Sequence, residues 1–421
     1  MRQVFCVRSS NAPSASAVNY TRPTQTMAFN ATEFPCPWPI VGSFSNLVVR
    51  LTTAPGAGGS GKSFAFTLRK NSADTALTCT ISETATTARD ISHSVTFAAA
   101  DLLSISITPT GTPTLPGDVF VTIEFVGTTT GESGYAWATG GTSTTATRWQ
   151  SVFAGATYDT TSGPRVQSLA AVAGTLTKMY VTTTTAPGGT DTRTYTIYKN
   201  GVKQDGAGGT ADTAITLTGA ATSGNKSFSL AVSPGDLLYL EATVLNTPAA
   251  SSVDGVGVAF TATTDGESQS CGWITGNPNT GGSDNFHSPL GLGVIAVGDE
   301  SLQLVYAGVT SFTLTSLYIN LSGSPGAGNN YTFRLRKNGA DAGPEVIVAD
   351  AATAGNDPTS TVNLVDGDQL SVRTFGVSSP TSRQYQYGTK QTITAAAPTT
   401  GAGRRTLSSL GTRIGSRQVQ S

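Results

Sequence analysis

Chemistry in a protein begins with side chains that can accept protons, attack or bind metal, and this chain carries few of them. Its only histidines, His93 and His287, fall in different parts of the sequence. A Ser-His-Asp triad would have to use one of the two, yet no GxSxG nucleophile elbow occurs. Two histidines far apart also argue against a metal site built on imidazoles. Cys6, Cys36, Cys79 and Cys271 contain no CxxC pair and no regular spacing, so they read as isolated thiols, with no disulfide framework and no zinc site. Glycosidase chemistry needs two facing carboxylates, and Asp299-Glu300 or Glu132 with Glu267 could supply them. With 26 acidic residues in the chain, such pairings arise readily by chance. GLGVIAVG from Gly291 resembles a phosphate-binding loop, but no helical pattern follows it, so it reads as an apolar strand. The expectation is a non-enzymatic protein with no catalytic residue, no metal and no cofactor.

Composition points the same way. Only 12% of residues are charged, about half the usual fraction, and Thr, Ser, Gly and Ala fill the gap. Gly and β-branched residues weaken helices and suit short strands joined by tight turns. The net charge of −1 gives no sign of nucleic-acid binding. No run approaches the roughly 18 apolar residues that cross a membrane. The opening MRQVFCVRSS has too short an apolar stretch for a signal peptide. Synthesis in the cytoplasm without export is the expectation.

The elements that carry these residues repeat three times. FSNLVVRLTTAPGAGGSGKSFAFTLRKNS starts at Phe44, LTKMYVTTTTAPGGTDTRTYTIYKNG at Leu176 and LTSLYINLSGSPGAGNNYTFRLRKNG at Leu314. In each, the first apolar residue precedes a proline by the same interval: Phe44 to Pro55, Leu176 to Pro187, Leu314 to Pro325. Phe66 and Leu68, Tyr195 and Ile197, and Phe333 and Leu335 alternate as on half-buried strands. Asn200-Gly201 and Asn338-Gly339 provide the positive φ of a type I′ hairpin turn. Asn71-Ser72 is a weaker turn signal, for which a longer loop is expected. Downstream, Asp101, Asp236 and Asp368 each sit at a turn before another alternating strand, a position that suits a capping carboxylate.

A further element occurs twice. Gly-Glu-Ser leads to Trp137 after Phe125, and to Trp273 after Phe260, each followed by Thr-Gly soon after. It reads either as a docking corner anchored by a buried tryptophan or as a linker whose tryptophan covers a sheet edge. The resulting division is an irregular arm over 1–28, β-sandwich repeats over 29–130, 145–265 and 285–396, linkers over 131–144 and 266–284, and a basic tail over 397–421. No acid follows Asp368, and Arg404, Arg405, Arg413 and Arg417 give the tail a charge suited to an acidic partner surface. A solvated tail is the alternative. Trp137, Trp273 and these four arginines are the candidate partner-docking residues.

The fold class expected is therefore all-β: three tandem jelly-roll-like β-sandwiches. With its FTLRKNS and YTFRLRKNG strands and its later turns at Asp101, Asp236 and Asp368, the sequence resembles virion structural proteins of tailed bacteriophages. Those segments look like parts of the jelly roll shared by complement- and tumour-necrosis-factor-like trimers. Ala100, where the other copies have Gly before the Asp, departs from the pattern. The resemblance implies a capsid decoration, head fibre or tail appendage on a virion. It also implies a homotrimer whose partners are capsid or tail proteins of the same particle. A carbohydrate-binding adhesin for a host-surface glycan is the alternative, with Trp38, Trp137, Trp149, Trp273, Tyr385 and Tyr387 as candidate sugar platforms.

Overall fold

A computed structural model describes residues 1–393 apart from 10, 25–28, 154–158, 252, 274–277, 279 and 290–295. The alternating segments become antiparallel strands. The first set is β1 (Arg2–Arg8), β2 (Asn19–Thr21), β3 (Cys36–Pro37), β4 (Gly42–Leu51), β5 (Ser63–Lys70), β6 (Ala73–Ser82), β7 (Thr87–Phe97), β8 (Leu102–Thr110) and β9 (Val119–Gly127). These form one sheet ordered β1-β9-β4-β7 and a second ordered β2-β8-β5-β6, with β3 also on β8. Counting β2 and β3 as one interrupted strand, the two sheets have the connectivity of an eight-stranded jelly roll.

The same pattern recurs twice. The second set is β10 (Glu132–Gly140), β11 (Arg148–Ser151), β12 (Ser168–Leu169), β13 (Gly174–Thr183), β14 (Gly188–Lys199), β15 (Val202–Lys203), β16 (Ile215–Gly219), β17 (Ser223–Val232), β18 (Leu237–Leu245) and β19 (Val253–Ala262). Its sheets run β10-β19-β13-β17 and β11-β18-β14-β15, with β12 on β18 and β16 on β14. The third set is β20 (Glu267–Trp273), β21 (Asn285–His287), β22 (Ala296–Val297), β23 (Val305–Tyr306), β24 (Phe312–Leu321), β25 (Gly326–Lys337), β26 (Ala340–Asp350), β27 (Ala354–Leu364), β28 (Gln369–Val377) and β29 (Tyr385–Thr392). Its sheets run β20-β29-β24-β27 and β22-β21-β28-β25-β26, with β23 on β28.

Each jelly roll begins earlier than the repeat suggests. The segment 1–28 contains β1, 131–144 contains β10, and 266–284 contains β20, so these stretches are neither an irregular arm nor mere linkers. Each supplies the edge strand of a four-stranded sheet. Their sequences hide this role because they do not alternate: Gln3 to Val7 are all buried, and a strand covered on both faces shows no polar side. The hairpin at Asn71-Ser72 likewise needs no longer loop. Lys70 pairs with Ala73 as Lys199 pairs with Val202, and Ser72 takes φ 61° where Gly201 and Gly339 take 79° and 77°.

Apolar faces of both sheets meet in each sandwich. In the first, Trp38 is fully buried among Phe5, Phe44 and Phe125, with ring centroids 4.6 to 5.9 Å away. In the second, Trp137, Tyr195, Ile197, Leu238 and Phe260 share one core. The third has two clusters, one around Leu314, Leu335 and Leu370 and one around Phe333, Tyr385 and Tyr387.

Candidate functional site at the seams between units

The repeated Lys-Asn and Asp form one device three times. Asp101 Oδ1 accepts from Asn71 Nδ2 at 2.7 Å while Asn71 Oδ1 accepts from the Leu102 amide at 2.7 Å. Asn200 with Asp236 and Leu237, and Asn338 with Asp368 and Gln369, repeat both bonds at 2.7 to 2.8 Å. Lys70, Lys199 and Lys337 reach the same carboxylates at 2.9, 3.5 and 2.8 Å. Each ammonium also donates to a carbonyl on the sheet behind, that of Thr96, Ala231 or Asn363. Partial burial alone would raise the Asp101 and Asp368 carboxyls, but the Asn and Lys donors outweigh it and hold both below the usual range. These acids are structural clamps that tie a hairpin of one sheet to the other sheet.

The clamped corner then supports the piece of chain that touches the next unit. Trp38, Ala170 and Ala307 each exchange two backbone hydrogen bonds with the corner: Trp38 with Asp101 and Ala100, Ala170 with Asp236 and Gly235, Ala307 with Asp368 and Gly367. The residue before each, Pro37, Leu169 or Tyr306, aims its carbonyl at the sheet of the following unit. A Cβ on Gly257 would stand 2.1 Å from the Pro37 oxygen, and one on Gly388 would stand 2.2 Å from the Leu169 oxygen. Only glycine fits there. At the corresponding place on β9, Thr122 instead donates its hydroxyl to the Tyr306 oxygen at 2.8 Å.

The first strands complete the contact. On β1, Phe5 and Val7 join the first core while Val4 and Cys6 join the third. On β10, Tyr135 and Trp137 join the second core while Ala136 and Ala138 join the first. Cys271 on β20 joins the second core. Every unit thus packs on its predecessor, and the first packs on the third, so the three jelly rolls close a ring. Around its axis the Gly134 amide donates to Gln3 Oε1 at 3.2 Å, Tyr135 Oη donates to the Gln269 carbonyl at 3.1 Å, and Gln391 brackets the Val4 backbone at 2.9 and 3.1 Å. These side chains line a cavity of about 40 Å³, room for a few waters and nothing larger. Burial pushes the Cys6, Cys36 and Cys79 thiols up to about 12, so they are inert filling.

The three seams differ in their outer parts. Strand registers place Arg50 and Arg89 of the first unit where the second has Thr182 and Asn225 and the third has Asn320 and Asn356. At the seam from the third unit to the first, Asp366 holds Arg50 at 2.9 Å and Arg89 at 2.7 Å. Thr310 of the third unit donates to buried Glu124 of the first. Among the described residues the two Asp366 pairs are the ion pairs found between units. At the seam from the first unit to the second, Ala99 stands in place of Asp366, and an open hollow of about 520 Å³ remains.

The candidate docking residues are scattered. Trp137 is fully buried in its own sandwich and donates Nε1–H to Gln150 Oε1 at 3.0 Å; its neighbours Ala136 and Ala138 make the inter-unit contact. Trp273 pairs with Gln386, the register place of Ala138 and not of Trp137. One residue more between Glu267 and Trp273 than between Glu132 and Trp137 shifts its register place by one. Arg404, Arg405, Arg413 and Arg417 lie outside the described residues. The proposed sugar platforms Trp38, Trp137, Tyr385 and Tyr387 are buried, and Trp149 spends its N–H on Glu241. Glu300 pairs with Arg336 and accepts from Ser371, and Glu267 pairs with Lys390. His93 is exposed beside Asp90. His287 is buried against the Tyr385 and Tyr387 rings, and desolvation lowers it to about 3 despite its bond to the Ser288 carbonyl. Sequence reasoning missed the arginine–aspartate seam and the glycine contacts. Gly257 inside the run GVGVAF was the available signal, since a glycine within a strand marks close backbone approach.

No family model and no curated relative matches the chain. Among solved structures, one described as "The Triple Jelly Roll Fold and Turret Assembly in an Archaeal Virus" aligns over 84% of this chain and 79% of that one, at 12% identity and a TM-score of 0.19. The infectious bursal disease virus VP2 subviral particle aligns over 93% and 80%, at 8% identity and a TM-score of 0.17. At such scores the likeness carries no argument, and the jelly-roll assignment rests on the strand order itself.

Proposed function

We propose that this chain is a non-enzymatic virion structural protein, a capsid-decoration or fibre-like subunit on the particle surface. We further propose that it makes within one chain the threefold ring that a homotrimer would otherwise assemble. The observation that carries this reading is the closed ring: the recurring Lys-Asn and Asp residues go into corner clamps, and every unit packs on both of its neighbours within the chain. A monomer in solution follows, in place of the homotrimer. Mass photometry should give a single species near 43.0 kDa; a species three times heavier would overturn the self-contained ring.

The anchor proposed is the basic segment after 396. Ile393 donates to the Gly266 carbonyl where β20 begins, and Met1 accepts from Gly127 at the matching end of the first unit. Residue 393 thus lies at the end of the third unit where its first strand starts, and the anchor proposed beyond it uses Arg404, Arg405, Arg413 and Arg417 on an acidic capsid or tail protein. Purified virions should contain the chain in fixed stoichiometry and lose it when 397–421 are deleted. Its absence from virions would sink the reading, and unchanged attachment after the deletion would sink the anchor.

A further inference from the structure

We infer that the seam between the first and second units is a binding site for a neutral oligosaccharide. The ring supplies its own control. At the third-to-first seam, Arg50 and Arg89 converge on Asp366 across the mouth. At the first-to-second seam the register-equivalent residues are Thr182 and Asn225, with Ala99 two residues before Asp101 as Asp366 is before Asp368, and the mouth stays open as a hollow of about 520 Å³. That volume falls within the range of about 300–1,000 Å³ typical of small-molecule sites. A second hollow of about 160 Å³ shares Leu102, Thr182 and Thr183 with it and extends the groove toward Pro35 and Val253.

The lining selects the ligand. Thr182, Thr222 and Ser223 bring hydroxyls, Asn225 an amide, and Pro37 and Leu102 an apolar floor. Among the described residues no charged side chain lines the larger hollow, so it offers no countercharge to phosphates, carboxylates or cations, and Glu33 beside the smaller one is paired with Arg69. Donor–acceptor groups on the second unit's wall, facing an apolar floor from the first, match a sugar, which presents hydroxyls at its rim and C–H groups on its faces. The buried aromatics are thus not the sugar platform; the open seam is. This inference concerns the folded chain alone and holds or fails whatever particle carries it.

Grafting the closed seam onto the open one tests it. Saturation-transfer NMR on the full chain with maltotriose, mannotriose and triacetylchitotriose should show contact with at least one sugar. The triple variant Ala99→Asp, Thr182→Arg and Asn225→Arg should weaken that binding at least tenfold without lowering the melting temperature. If the triple variant fails to fold, Thr222→Trp at the exposed rim takes its place with the same expected loss. No contact by any of the three sugars, or full binding by the plugged variant, would overturn the inference.

Discussion

The third-to-first seam and the first-to-second seam join like surfaces by unlike means. Between the first and second units only residues 128–131 separate β9 from β10, so the chain itself holds the partners at high effective concentration. That seam carries no ion pair among the described residues and tolerates an open groove. No short linker joins the third unit to the first. There, Asp366 grips two arginines, Thr310 reaches Glu124, and Phe120 stacks edge-on with Tyr306 at 4.8 Å. Side-chain chemistry concentrates where chain connectivity gives no help. A ring cut from one chain therefore has one seam that must be built and two that can be left plainer.

Four perturbations would break or sharpen this contrast. The largest effect is expected at Gly257→Val, which drives a side chain into the Pro37 carbonyl; overpacking should cost about 3 kcal/mol, read as a lower melting temperature. A neutral result would mean that the seam flexes to accept a side chain. Acid comes next. His287 is neutral in the folded third unit but ordinarily titrates near 6.5, so the unfolded chain binds the extra proton between pH 6.5 and about 3. Stability is complete above that window and falls through it by about 1.4 kcal/mol per pH unit. Hydrogen exchange should show opening first in β21 and β29 of the third unit, and His287→Phe should flatten the profile. Uniform opening of all three units would contradict it.

Asp366→Ala removes both inter-unit pairs and should cost about 1 kcal/mol because the groups are partly exposed. Raised salt should mimic it, and protease cutting should rise at the third-to-first seam alone. Smallest are Ser72→Gly and Ala100→Gly. Both native residues sit at positive φ, 61° and 76°, where the other units have glycine. Each change should stabilise the first unit by about 1 kcal/mol, and a lower melting temperature would refute the strain assigned to them.

Much of the fold was legible in the residues. The intervals ending at Pro55, Pro187 and Pro325 and the alternation through Phe66, Tyr195 and Phe333 report local rules, in which turn residues set φ and period-two patterns bury one face. β1, β10 and β20 were not legible, because strands buried on both sides lose their alternation. Trp137 and Trp273 looked equivalent by motif, and only the pairing with β19 and β29 revealed the one-residue shift between them.

By itself, the sequence determined three copies of one sandwich and the hairpin at each Lys-Asn. Both follow from interactions within a few residues or from composition. Ring closure, the carbonyls resting on Gly257 and Gly388, the Asp366 grip and the open groove were decided only by the tertiary structure. Each depends on residues far apart in the chain, and nothing local in Arg50 or Thr182 tells which of them will face an aspartate.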